Sequence, residues 1–210
     1  GSRRVEWCEW QRKQLKRQHE QLRRQHRHER QLKLGFWHER QHEPHTAHHA
    51  KHNEHTEHDE YEPNTQHHDS QFRSELVSYY NRLSGYDSRI ASAADTFNNN
   101  FLSSSMSTRQ SYASSCSSLL SEVQQQSNAV SSLSVPSGSA YAEQYRLIRQ
   151  CYQDLVERAD CLNRGWQISI SYSNPSAHED EILEPIRSNA SGGNNIYYTD
   201  YNNTYPKIKL

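Results

Sequence analysis

Apolar residues in the second half of the chain recur at helical spacing. Leu76, Tyr79, Leu83, Tyr86, Ile90, Ala94, Phe97 and Phe101 step by three or four, which places them on one helix face. Tyr112, Cys116, Leu119, Val123, Gln126, Val130 and Leu133 make a second stripe of the same kind. Tyr141, Tyr145, Ile148, Tyr152, Leu155, Ala159 and Leu162, followed by Trp166, make a third. Ser103–Ser107 separates the first two stripes, and Pro136, Ser137 and Gly138 separate the second and third. The second break is short enough only for antiparallel neighbours. The pattern therefore predicts an all-α fold, an antiparallel three-helix bundle over residues 70–166. About twenty apolar side chains, each worth roughly 1.5–3 kcal/mol when buried, suffice for its core.

Past Gly165 the period changes. Trp166, Ile168, Ile170 and Tyr172 alternate with Gln167, Ser169, Ser171 and Ser173, the signal of a half-buried strand. Ser176 and Glu179 have the spacing of a capping box that opens a short helix ending near Pro185. Gly192-Gly193-Asn194-Asn195 reads as a turn, and Ile196–Tyr201 as a second strand. Residues 167–210 are thus expected to be a small mixed α/β extension.

The first third reads differently. Residues 1–41 are rich in Gln, Arg, Lys, Glu and Leu, good helix formers, with no Gly or Pro between Ser2 and Gly35. Their apolar stripe is thin: Cys8, Leu15, Leu22 and Phe36 fall on a seven-residue spacing that Glu29 interrupts. A coiled-coil seam needs a second apolar position per heptad, here mostly Gln or His. The expectation is a long, wet, basic helix that self-associates weakly, the one route offered to a homo-oligomer. Residues 42–69, with Pro44, Pro63 and crowded His and Asp/Glu, read as a His-rich acidic linker.

Composition sharpens this division. The net charge of -1 conceals a balance of +7 over residues 1–35 and -6 over residues 36–69. Hydrophobic residues are only 32% of the chain and mean hydropathy is -1.16, so one core cannot run its whole length. No run approaches the roughly 18 apolar residues of a membrane span. The opening Gly1-Ser2 has the form of a cloning scar, so native residues before Arg3 can have been removed and a membrane anchor upstream of Arg3 stays open; an extracytoplasmic or membrane-anchored location is favoured over a cytoplasmic one. The Arg- and Lys-rich helix, residues 3–33, has charge for phosphates but little base-reading variety, with aromatics confined to Trp7 and Trp10. Nucleic acid is therefore not the expected partner; a protein is.

Candidate chemistry concentrates in the linker. His38, His42, His45, His49 and His52 step 4-3-4-3, and His55 and His58 follow at threes, with His48 among them. Imidazole suits Zn, Ni and Cu(II), and neighbouring carboxylates can complete a coordination sphere, so these eight histidines are the candidate metal ligands and Zn the candidate cofactor. His38-Glu39-Arg40-Gln41-His42 also matches the HExxH pattern of zinc peptidases, in which Glu39 would activate a zinc-bound water. Composition alone explains such a match, Pro44 follows it closely, and no apolar wall accompanies it. Elsewhere there is no GxSxG, P-loop, GxGxxG or CxxC pattern. His178 beside Glu179 and Asp180 reads as an ordinary helix start. Cys151 and Cys161 are ten residues apart on one helix, about 15 Å in rise, too far to bridge each other. Cys116 can approach either, so buried free thiols and one bridge both fit.

A Ser-, Asn-, Gln- and Tyr-rich helical bundle behind a polar stalk resembles, in composition only, the extracytoplasmic domains of bacterial envelope proteins. The chain is expected to be a non-enzymatic interaction or structural module. A transition-metal binding or sensing protein is its alternative, and the HExxH peptidase ranks third.

Overall fold

The computed structural model describes residues 63–210. Leu76, Leu83, Ile90 and Phe97, spaced by sevens, are each at most 2% exposed, and they define the inner face of helix α1, Pro63–Asn100. Proline suits a helix start because its fixed φ is already helical and its missing N–H would have had no partner there. The helix therefore begins inside the stretch that reads as linker. Helix α2, Met106–Ser131, starts at Ser105, whose Oγ accepts the Thr108 N–H at 3.2 Å. Helix α3, Ala142–Ser171, follows a turn in which Gly138 takes φ +70°.

Cross-contacts fix the directions. Arg82 meets Gln126 and Arg89 meets Glu122, so α1 and α2 run antiparallel. The Tyr145 hydroxyl donates to the Ser131 carbonyl, Cys116 lies against Ala159, and Arg109 reaches Ser169, so α2 and α3 are antiparallel too. Ring contacts Phe72–Tyr145, Tyr79–Tyr152 and Phe97–Trp166 run in step along α1 and α3, which are parallel. The expected all-α class holds.

Three expectations for the C-terminal part are corrected. Trp166–Tyr172 is no strand: α3 continues without interruption to Ser171. Its helical period survives in Leu162, Gly165, Trp166 and Ser169, all buried, whereas Ile168 and Ile170 are only half-buried. Ile196–Tyr201 is not a strand either but most of helix α5, Ile196–Thr204, because Asn195 Oδ1 accepts the Tyr198 N–H at 3.1 Å and starts a helix. The Ser176 capping box does not form. A 3-10 turn, Pro175–His178, leads into helix α4, Glu179–Arg187, which begins at His178 without a side-chain cap. Acidic residues Glu179, Asp180 and Glu181 in its first turn stabilise that end instead, against the positive pole of the helix.

The strands that do exist are two residues each: β1, Ala190–Ser191, pairs antiparallel with β2, Asn194–Asn195. Gly192 and Gly193 turn between them with φ +57° and +81°. Two consecutive positive φ angles suit a tight hairpin whose twist matches its strands. A last 3-10 turn, Tyr205–Lys207, ends the chain's helical content.

Helix α3 is the centre of this arrangement. One face (Tyr145, Ile148, Tyr152, Leu155, Ala159, Leu162, Trp166) meets α1 and α2. A second face (Cys151, Asp154, Arg158, Cys161, Gly165) is covered by α4 and α5. The extension is thus the other half of the cover over α3, which explains why this helix is buried on two sides.

Candidate functional site

The second face of α3 carries the polar residues that hydropathy does not reveal. Asp154 is 2% exposed and Arg158 7% exposed. Arg158 Nη1 donates to Asp87 Oδ1 of α1 at 2.6 Å, and its guanidinium lies 5.1 Å from the Tyr198 ring centre and 5.8 Å from that of Tyr201. One cation thus ties three helices together. Asp154 Oδ1 accepts from Gln150 at 3.0 Å, but its Oδ2 is buried with no hydrogen-bond partner. The Tyr201 hydroxyl is likewise buried without one. Burial raises the Asp154 carboxyl to about 6, helped by Asp200 and Glu157 and opposed by Gln150 and Arg158. Burial also pushes the Tyr201 hydroxyl far above its ordinary value. Cys151, Asp154, Arg158 and Cys161 step 3-4-3, a helical period offset from the core stripe. That spacing is the signal by which the sequence could have exposed this face.

The opposite side of the bundle carries a groove of about 490 Å³ between α1 and α2. Ser88, Ser92 and Thr96 form one wall, Tyr112 and Ser115 belong to the other, and Trp166 closes the floor. Each of those Ser and Thr hydroxyls donates back to the carbonyl four residues earlier, at 3.0–3.1 Å, so the walls present acceptors and small contours to solvent. The bidentate pair of Arg89 with Glu122, at 2.6 and 3.0 Å, braces the two helices beside it.

Cys116, Cys151 and Cys161 are free and buried, so the bridge left open by the sequence is not formed. Desolvation lifts all three thiols, Cys116 and Cys161 to about 11 and Cys151 to about 12. Neutral thiols of this kind are poor nucleophiles. In a chain carrying Cys8→Ser, alkylation by iodoacetamide near pH 8 is expected to run roughly a hundredfold slower in the folded protein than in denaturant. Labelling at equal rates in both states would show that these thiols are not buried.

His38, His42, His45, His48, His49, His52, His55 and His58, with Glu39, lie outside the described residues. Among the described residues no group of three or more His, Cys, Asp and Glu side chains is placed to hold a metal. His178 is placed: it stacks on Tyr172, 3.5 Å between ring centres, and its Nδ1 lies 3.0 Å from Glu181 Oε1. Glu181 also accepts from the Tyr172 hydroxyl at 2.6 Å, which makes this trio a clasp at the α3–α4 corner. No helix among the described residues is long and apolar enough to cross a membrane. Comparison with protein-family models, with curated proteins and with solved structures finds no match to this chain.

Proposed function

We propose that this chain is a non-enzymatic interaction or structural module, a helical bundle carried on a polar, His-rich segment and directed at a protein partner. What supports the reading is where the bundle spends its buried charge. Arg109 is turned onto the backbone carbonyls at the end of α3, and Arg158 onto Asp87 and two tyrosine rings. Both side chains hold helices together, while the groove between α1 and α2 offers contours and acceptors that suit a packed surface. A photo-crosslinking residue at Ser92, in that groove, is expected to give a discrete protein adduct in cells, and one at Gln153, exposed on α3, to give none. Absence of an adduct at Ser92 would count against the reading. A bacterial envelope setting belongs to the same proposal and rests on composition alone.

The 4-3-4-3 spacing of His38, His42, His45, His49 and His52 favours a second reading, a Zn, Ni or Cu binding or sensing protein. It predicts that micromolar zinc slows backbone hydrogen exchange across residues 38–58 of the full chain. Exchange unchanged by zinc, nickel and copper alike would end it.

A further inference from the structure

Residues 190–210 form a strap over the second face of α3, and few of its residues are buried. Only Tyr201 and Ile208 of this stretch are buried. Its ties include the ring stack of Tyr205 between Tyr80 and Tyr201, at 5.3 and 5.4 Å, the rings on Arg158, the Ile196 N–H on the Asn189 carbonyl at 2.9 Å, and the Lys209 N–H on Gln144 Oε1 at 2.7 Å. Elements with few buried apolar contacts open at lower free energy than the core does. Beneath this strap sits Asp154, 2% exposed, with Oδ2 lacking a partner. An ionised carboxylate in that position is poorly satisfied, and burial penalises the neutral acid far less than the anion.

We infer that the strap is a pH-sensitive latch, closed on α3 when Asp154 carries its proton and loosened when the proton leaves. The groups that face Asp154 set its balance. Glu157 and Cys151 on its own helix and Asp200 and Tyr197 on α5 disfavour its charge or gain from its loss. Arg158 favours the charge, but it is already engaged by Asp87 of α1. Burial outweighs the rest and holds the carboxyl at about 6 in the closed form, against an ordinary value of 3.8. The closed form therefore binds the proton more tightly than the open one, and by linkage closure weakens as pH rises from about 4 to about 6 and levels off beyond. Opening would uncover Asp154 and Arg158, a polar face that neutral pH would offer to solvent or to a partner.

Hydrogen exchange on the full chain, corrected for intrinsic rates, tests this at the amides of residues 200–204. Their protection is expected to fall about tenfold between pH 5 and pH 7.5, while amides of residues 116–127 in α2 keep theirs. Asp154→Asn, which fixes the side chain neutral, is expected to hold the protection of 200–204 level across that range. Tyr201→Phe removes the unpartnered hydroxyl but leaves the carboxylate, and is expected to retain the tenfold fall. Level protection in the wild-type chain overturns the inference. So does a fall shared equally by α2, or one that persists in Asp154→Asn. Were the Asn variant not to fold, the wild-type comparison of 200–204 with α2 decides the matter alone.

Discussion

Replacing Arg109 with Met is expected to destabilise the bundle by about 1–3 kcal/mol, the cost of leaving the Tyr172 carbonyl without its partner and the Ser169 carbonyl with only the Tyr172 N–H, less some relief of buried charge. Arg109 is fully buried near the start of α2. Its Nη1 donates to the Ser169 carbonyl and lies 3.4 Å from Ser169 Oγ, and its Nη2 donates to the Tyr172 carbonyl at 2.9 Å. Ser169 lies in the last turn of α3 and Tyr172 just past it; the Ser169 carbonyl also accepts the Tyr172 N–H at 3.4 Å, and the negative end of the helix calls for a cation. Ser169 Oγ in turn donates to the Phe101 carbonyl at 2.6 Å, so the same point also pins the end of α1. Substituting a buried ion pair with apolar groups can be neutral, but only when both partners go. Here the partners are backbone, and no side-chain change removes them. Arg109 Nε has no partner, so some desolvation cost is recovered in the variant, which is why the lower end of the range is allowed. Arg109→Lys keeps the charge and loses the fork, and should fall between. Urea unfolding at constant slope measures all three chains. A Met variant within about 0.5 kcal/mol of wild type, the scatter of ordinary surface changes, would show that the cap contributes nothing net.

Arg109 also illustrates what hydropathy can and cannot disclose. The three stripes are legible because Leu83, Val123 and Leu155 and their neighbours sit on one face of long helices and are excluded from water there. Buried positions held by hydrogen bonds leave no such trace. Arg109 and Ser169 read as polar surface, yet each is buried and hydrogen-bonded. Ser169 carries a particular cost, since its polarity completes the false alternation from Trp166 to Tyr172. The helix there is dictated by contacts from α1 and α2, which a local window cannot contain. Helix α5 is harder still, because its one fully buried residue, Tyr201, marks no stripe and its start depends on the single cap at Asn195. Asp154 and Arg158 form a candidate site only once α5 is laid over them. Their spacing with Cys151 and Cys161 is visible in the chain, but a helix with two buried faces is recognised only after both covers are known.

Glycine to alanine is expected to act with opposite signs at the two glycines inside the long helices. Gly85, in α1, has nothing within 4 Å of where a Cβ would stand. Gly85→Ala should therefore stabilise by about 0.5–1 kcal/mol, through helix propensity and a less free unfolded chain. Gly165, in α3, is the place where Phe97 and α4 come closest to the helix. A Cβ there would lie 2.7 Å from Phe97 Cζ, 2.8 Å from Phe97 Cε2 and 3.2 Å from the Ile182 carbonyl oxygen. Phe97 cannot swing aside, because it is fully buried, stacked on Phe101 at 5.0 Å and edge-on to Trp166 at 5.1 Å. The carbonyl is backbone and moves only with α4. Overpacking of this kind costs about 1–3 kcal/mol, which exceeds the propensity gain of about 1 kcal/mol, so Gly165→Ala should lower stability by up to about 2 kcal/mol. Gly165→Val adds two methyls at the same contact and should be worse. The sign of the pair is the measurement: thermal or urea unfolding of both alanine variants beside the wild-type chain. If Gly165→Ala matched Gly85→Ala, Phe97 would not be seated on α3 as described, and the packing of α1, α3 and α4 around that glycine would have to be redrawn.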